Sequence, residues 1–220
     1  METEDLRPIR RPRRPRKRPR TPNPEVRRRL MVAASALIHE QGVPRLRVED
    51  VADRAGLSVG TFYLYFDGKD DLFANLVIEY TDRLRQRIRA SYEAPGSVTE
   101  RLARSLDAYL DFIEESERGF LYFRDSGTVH TKVGRLSSWA LDQHVADLQP
   151  LIEAGIESGE YYDADPEQTA QAIVGVVQHM AGWWLEHREQ CSRDEIAQFL
   201  LTLTGRWLQR GVSSGSDGAD

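Results

Sequence analysis

Apolar residues recur at steps of three and four along most of this chain and strand-type alternation persists nowhere, so helices are the elements the pattern predicts. The longest stripe, Leu72, Phe73, Leu76, Val77, Tyr80, Leu84 and Ile88, keeps one helical face apolar over several turns. Helix boundaries are marked as clearly. Asn23 before Pro24 opens a helix that Gly42 closes, and Asp67 can cap the helix of the long stripe. Ser97 with Glu100 and Ser192 with Glu195 read as capping boxes, and Asp165 before Pro166, with Gln168 following, is a third strong start. No repeat of 20–50 residues appears. The prediction is an all-α fold of about nine helices. At 220 residues and 40% hydrophobic, the chain can bury the core such a fold needs.

Charge is distributed unevenly. Residues 1–29 hold twelve Arg or Lys against four acids, a net of +8, whereas the remainder carries −13. A basic arm on an acidic body suits a polyanionic partner for the arm alone. Prolines at 8, 12, 15, 19 and 22 forbid a helix there, so residues 1–22 are expected to form a disordered basic arm. Residues 211–220, GVSSGSDGAD from Gly211, read as a flexible acidic tail. Cys191 stands alone, which excludes an intrachain disulfide and suits a reducing interior. No apolar stretch follows the N-terminal charges, so no secretory leader is expected. The longest charge-free run, Gln168 to Leu185, is interrupted by glutamines and His179 and reads as a helix buried on several sides, not a membrane span. A soluble, cytoplasmic protein is expected.

The segment from Arg47 to Lys69, RVEDVADRAGLSVGTFYLYFDGK, carries the functional signal. Val48, Val51, Ala52 and Ala55 give a short helix an apolar face with small residues where a partner helix must approach. Gly56 can take positive φ at the turn, Leu57 points inward, and Ser58 caps a second short helix. Phe62 and Phe66 lie four residues apart and should pack inward. Val59, Gly60, Thr61, Tyr63, Leu64 and Tyr65 are left to cover the exposed sides. A short helix that exposes aromatics and a glycine is poor scaffold but a good groove reader.

This segment resembles the signature of the tetracycline-repressor (TetR) family of bacterial transcriptional regulators. The matching residues are Asp50-Val51-Ala52, Ala55-Gly56-Leu57-Ser58, Gly60-Thr61-Phe62-Tyr63, Tyr65-Phe66, Lys69 and Leu72-Phe73. Gly155, Gly159-Glu160-Tyr161 and Asp165-Pro166-Glu167 resemble, more loosely, the loop before the family's dimerisation helices. The resemblance implies an N-terminal three-helix helix-turn-helix domain, residues 23–69, and a helical ligand-binding and dimerisation domain, residues 70–210. It places Val59, Gly60, Tyr63 and Leu64 in the major groove, and Ser58, Thr61, Tyr65 and Lys69 on phosphates. The family often caps the first reader helix with Thr; this chain has Arg47, which could itself reach a phosphate. Val59 and Leu64 offer apolar contacts rather than paired hydrogen bonds, so DNA shape and the arm would share in specificity. For the arm, general electrostatics is the simpler reading, because nothing in it argues for base recognition.

The body is rich in aromatics. Phe112, Phe123, Trp139, His144, His179 and Trp183 are the expected liners of a cavity for a small, hydrophobic ligand. Ile173, Val177, Trp184, Phe199, Leu203 and Trp207 are the expected faces of an isologous four-helix dimer interface. The histidines lack metal-site spacing, and no catalytic set or phosphate-cradling loop appears, so no metal, no cofactor and no enzymatic activity are expected. The reading is a homodimeric regulator that represses from a palindromic operator on double-stranded DNA and responds to a ligand. The alternative is an architectural protein that binds DNA indifferently through its arginine-rich arm.

Overall fold

The computed structural model describes residues 23–115 and 132–208, although within this range the side chains of residues 132–134, 137 and 207 are not described. The basic arm, Phe123, the acidic tail and the Trp207 side chain therefore lie outside the described residues. Those residues form eight α-helices and one 3₁₀ turn, with no strand among them. They are α1 (Pro24–Gln41), α2 (Val48–Arg54), α3 (Val59–Tyr65), α4 (Lys69–Glu93), α5 (Val98–Glu115), α6 (Lys132–Glu157), α7 (Pro166–Glu186) and α8 (Arg193–Leu208).

The caps behave as their chemistry requires. Asn23 Oδ1 accepts from the Glu25 amide at 2.9 Å, and Asp165 Oδ1 accepts from that of Gln168 at 2.7 Å. Both capping boxes close reciprocally at Ser97/Glu100 and Ser192/Glu195. The start of α4 differs from expectation. Gly68 occupies the cap position there without a side-chain bond, and Asp71 reaches back to accept from the Asp67 amide at 3.1 Å. An acid in the first turn thus satisfies the donor from inside the helix.

Two helices cross from one end of the molecule to the other. In α4, Leu72, Phe73 and Val77 join the core of the N-terminal helices, while Leu84 and Ile88 join that of the body. In α6, Leu136, Trp139 and Ala140 also pack on the N-terminal core, and Val145, Leu148 and Leu151 belong to the body. Pro150 sits within α6 without ending it. The segment between α6 and α7 is built by specific needs. A Cβ on Gly155 would lie 2.2 Å from the buried Tyr161 ring, and Gly159 turns at φ +76°. Glu160 accepts from the Val98 and Thr99 amides at 3.0 and 3.1 Å, tying this loop to the start of α5. Those hydrogen bonds, led by Val98, hold the Glu160 carboxyl below its ordinary pKa.

Candidate DNA-reading surface and ligand cavity

The turn between α2 and α3 is set by Gly56 at φ +65° and by the Leu57 amide donating to Ala52 at 2.9 Å. Arg29 of α1 donates to the Ala55 carbonyl, clamping the end of α2. A Cβ on Gly56 would meet that guanidinium at 3.0 Å, a second reason for glycine beyond the backbone angle. Ser58 caps α3, its Oγ accepting from the Thr61 amide at 3.1 Å and lying 2.9 Å from Thr61 Oγ1. Phe62 and Phe66 are buried beneath the helix with ring centroids 5.5 Å apart.

What α3 turns outward is therefore fixed by what it buries. Tyr63 is 41% exposed, edge-on to Phe62. Ser58 is exposed, Gly60, Thr61 and Leu64 are half-buried, and Val59 packs partly on the core. The Tyr65 hydroxyl accepts from the Asn23 amide at 3.0 Å, which leaves its proton free for another acceptor. Lys69 Nζ lies 3.4 Å from the Pro44 carbonyl, close to the start of α4. Arg47 occupies the cap position of α2 without a side-chain bond; arginine has no acceptor to offer there. Hydroxyls, a lysine and helix starts are groups that hold phosphates.

The body contains a cavity of about 90 Å³ between α4, α5, α6, α7 and α8. Its apolar wall includes Leu84, Leu106 and Leu148, and its polar wall Tyr80, Tyr109, His144 and Gln178. Of the expected liners, His144 is on this wall. Phe112 is buried against Tyr80 at 4.8 Å, with Arg83 and Arg87 over its ring, and does not line the cavity. Trp139 packs on the N-terminal core, Trp183 stacks on His187 at 4.7 Å, and His179 is exposed.

Of the residues expected at a dimer interface, Ile173 and Val177 line the cavity instead, and Trp184 is buried in its own chain beneath Arg188. A helix that serves the cavity and the core has already covered those faces. Phe199, by contrast, is 49% exposed on α8, and Leu203 is half-buried.

At the edge of the cavity, Asp147 joins α6 to α4. Its carboxylate accepts from Arg85 Nε at 2.6 Å and Nη2 at 3.0 Å, and from Arg89 Nε at 3.1 Å. Burial pushes the Asp147 carboxyl up, but the hydrogen bonds and charges of Arg85 and Arg89 together overcome it and hold it below the ordinary value. Sequence reasoning missed this junction. Arginines at i and i+4 on α4 were legible, but nothing local pairs them with a residue 58 to 62 positions away.

Burial lowers the His144 pKa from the usual 6.5 to about 4, with the charge of Asp147 opposing and that of Arg85 adding to the effect. Between those values an unfolded chain binds a proton that the folded chain refuses. Stability therefore rises with pH through this window and falls as pH drops, by about 3 kcal/mol at most from this group. Denaturant midpoints at pH 7.5 and 4.5 should differ less for His144→Gln than for the native chain.

A helix-turn-helix set on a cavity-bearing helical body defines a DNA-binding transcriptional regulator. The model of bacterial regulatory proteins of the tetR family matches residues 30–76, and that of the tetracyclin repressor-like C-terminal domain matches residues 87–218. The chain belongs to the tetR family. It is 25% identical over 183 residues, 81% of either chain, to the HTH-type transcriptional activator FasR of Mycolicibacterium smegmatis. It is 23% identical to the HTH-type transcriptional repressor KstR2 of Mycobacterium tuberculosis over 192 residues, 83% of this chain and 93% of that one. The fold matches the crystal structure of the transcriptional regulator FadR from Bacillus subtilis in complex with stearoyl-CoA. The TM-score is 0.72 at 20% identity, covering 83% of this chain and 99% of that one. Among the described residues, no helix is long and apolar enough to cross a membrane.

Proposed function

We propose that this chain is a cytoplasmic repressor that binds a palindromic operator as a homodimer, with α3 in the major groove, and releases it when an apolar ligand enters the body. The observation that carries this reading is the reach of α6. Leu136, Trp139 and Ala140 rest on the N-terminal core, and Ala140, Leu141, His144 and Asp147 form cavity wall on the same helix. Ligand pockets typically enclose about 300–1,000 Å³, so a drug-sized ligand must widen the present 90 Å³ by parting α4 from α6. Both helices extend into the N-terminal core, so that movement re-aims α3 relative to its copy in the dimer. A stearoyl chain in a protein of this fold supports an acyl chain or another elongated apolar molecule as the ligand.

The dimer would form across α7 and α8. Phe199 is exposed there, and a Cβ on Gly175 or Gly205 would meet nothing within 4 Å, leaving room for close approach. Two half-sites then add their affinities and demand palindromic spacing.

Fluorescence anisotropy on the DNA flanking the protein's own gene, with excess unrelated competitor, tests the reading. Saturable binding should survive competitor and weaken about tenfold for Tyr63→Ala, the scale of one lost base contact. Unchanged affinity in that variant would remove α3 from the groove. Binding abolished by competitor would favour an architectural protein driven by the arm.

A further inference from the structure

The cavity holds more hydrogen-bonding capacity than the protein uses. Tyr80 lines the cavity, and its buried hydroxyl has no hydrogen-bond partner among the described residues. Tyr109 lines the same space from α5 and is itself buried. Burial alone raises its phenol far above the ordinary value. The Tyr80 phenol is raised first by burial and then by Tyr109, with the charge of Arg83 opposing. Both stay neutral and both keep a proton to donate. Two other hydroxyls on the wall are occupied: Ser105 Oγ donates to the Leu102 carbonyl at 2.7 Å, and Thr204 Oγ1 to that of Leu200 at 2.8 Å.

The charges around this space limit what can enter. Asp147 is the one carboxylate on the described wall, and Arg85 and Arg89 already hold it. His144 beside it is neutral above about pH 4. A buried anion would meet a carboxylate and find no free cation among the described residues of the wall. A plain hydrocarbon would leave the buried Tyr80 hydroxyl with nothing to bond. An uncharged oxygen acceptor satisfies both conditions.

We infer that the cavity takes an apolar ligand carrying an uncharged carbonyl oxygen (ketone, ester or thioester) within its buried length, and that the Tyr80 and Tyr109 hydroxyls donate to that oxygen. The inference rests on the proposed reading of this cavity as the effector site. Tyr80 is well placed to report occupancy, because it also lines a recess of about 490 Å³ bounded by Met31, Ile38 and His39 of α1. A ligand bound to this hydroxyl acts one side chain away from the DNA-reading domain.

Calorimetric titration of the full chain with three C12 probes tests this: the methyl ester, the free acid and the alkane. The ester should bind at least tenfold more tightly than either of the others. Tyr80→Phe/Tyr109→Phe should remove that preference and leave the alkane's affinity unchanged. An ester preference that survives in the double variant, or a wild-type chain that ranks the three probes equally, overturns the inference while leaving the cavity as effector site. Binding of none of the three overturns both. A measurement without ligand is independent of these. Because Phe removes a hydroxyl that nothing pairs, Tyr80→Phe should melt no lower than the native chain. A marked fall would show that the fold itself uses the hydroxyl, and the inference would fail.

Discussion

Gly60→Leu is expected to weaken operator binding by at least 100-fold while leaving the melting temperature unchanged or slightly raised. A Cβ at this position meets only Ser58 Oγ within 4 Å, at 3.6 Å, and Gly60 does not require positive φ. The fold therefore has no need of glycine here, and leucine gains about 1 kcal/mol of helix propensity over it. Gly60 stands in the first turn of α3 beside Ser58, Thr61 and Tyr63, where the proposed function brings a duplex backbone or base edge close. A leucine side chain there pushes the helix from the groove and costs phosphate and base contacts together, more than the single contact removed by Tyr63→Ala. Anisotropy and a thermal melt on one preparation separate the two effects. Wild-type affinity in this variant would mean that α3 faces away from DNA, and a large fall in melting temperature would mean that the glycine is structural after all.

The same contrast explains how much of the molecule was legible beforehand. Helix starts are local events: a side-chain oxygen two or three residues from an amide either closes the cap or does not, so Asn23, Ser58, Ser97, Asp165 and Ser192 could be read directly. The turn at Gly56 and the inward pair Phe62 and Phe66 were equally local. Asp67 was misread because a cap can be supplied from either direction, and Asp71 supplies it from within α4.

The body resisted because aromatic residues on helices satisfy a core and a cavity equally well. Phe112, Trp139 and Trp183 each have the right chemistry to line a pocket, yet Phe112 and Trp139 pack on other elements and Trp183 stacks on His187 at the end of its own helix. His144 was legible as a liner, whereas Tyr80, which also lines the space, sits in an apolar stripe and reads as core. What distinguishes Tyr80 is a missing partner, and only three-dimensional placement reveals that. The expected dimer face divided for a related reason. An apolar surface wider than one stripe signals two partners without saying whether they lie in the same chain, and here Ile173 and Trp184 find theirs at home whereas Phe199 does not.

Asp147→Ala is expected to cost about 3–5 kcal/mol of stability, the usual penalty for removing one member of a buried ion pair. The Asp147 side chain is 6% exposed and that of Arg85 17%, so the substitution strands a largely buried guanidinium. Arg89, at 54%, can rehydrate and contributes less. For a chain of this size the loss corresponds to roughly 10 °C in melting temperature. Because the carboxyl is held below its ordinary pKa, its stabilisation is complete above about pH 4 and fades only below that, so a comparison at pH 7 reads the whole effect. Adding Arg85→Met should recover much of the stability by removing the stranded charge. It should not recover coupling. With the α4–α6 tie gone, parting these helices costs less, so the open-cavity state gains population even without ligand. The double variant should therefore bind its operator more weakly and its ligand more tightly than the native chain, although its melting temperature is nearly restored. Operator affinity that returned together with stability would reduce Asp147 to a structural ion pair, and transmission would then have to run through the packing of Leu136, Trp139 and Ala140.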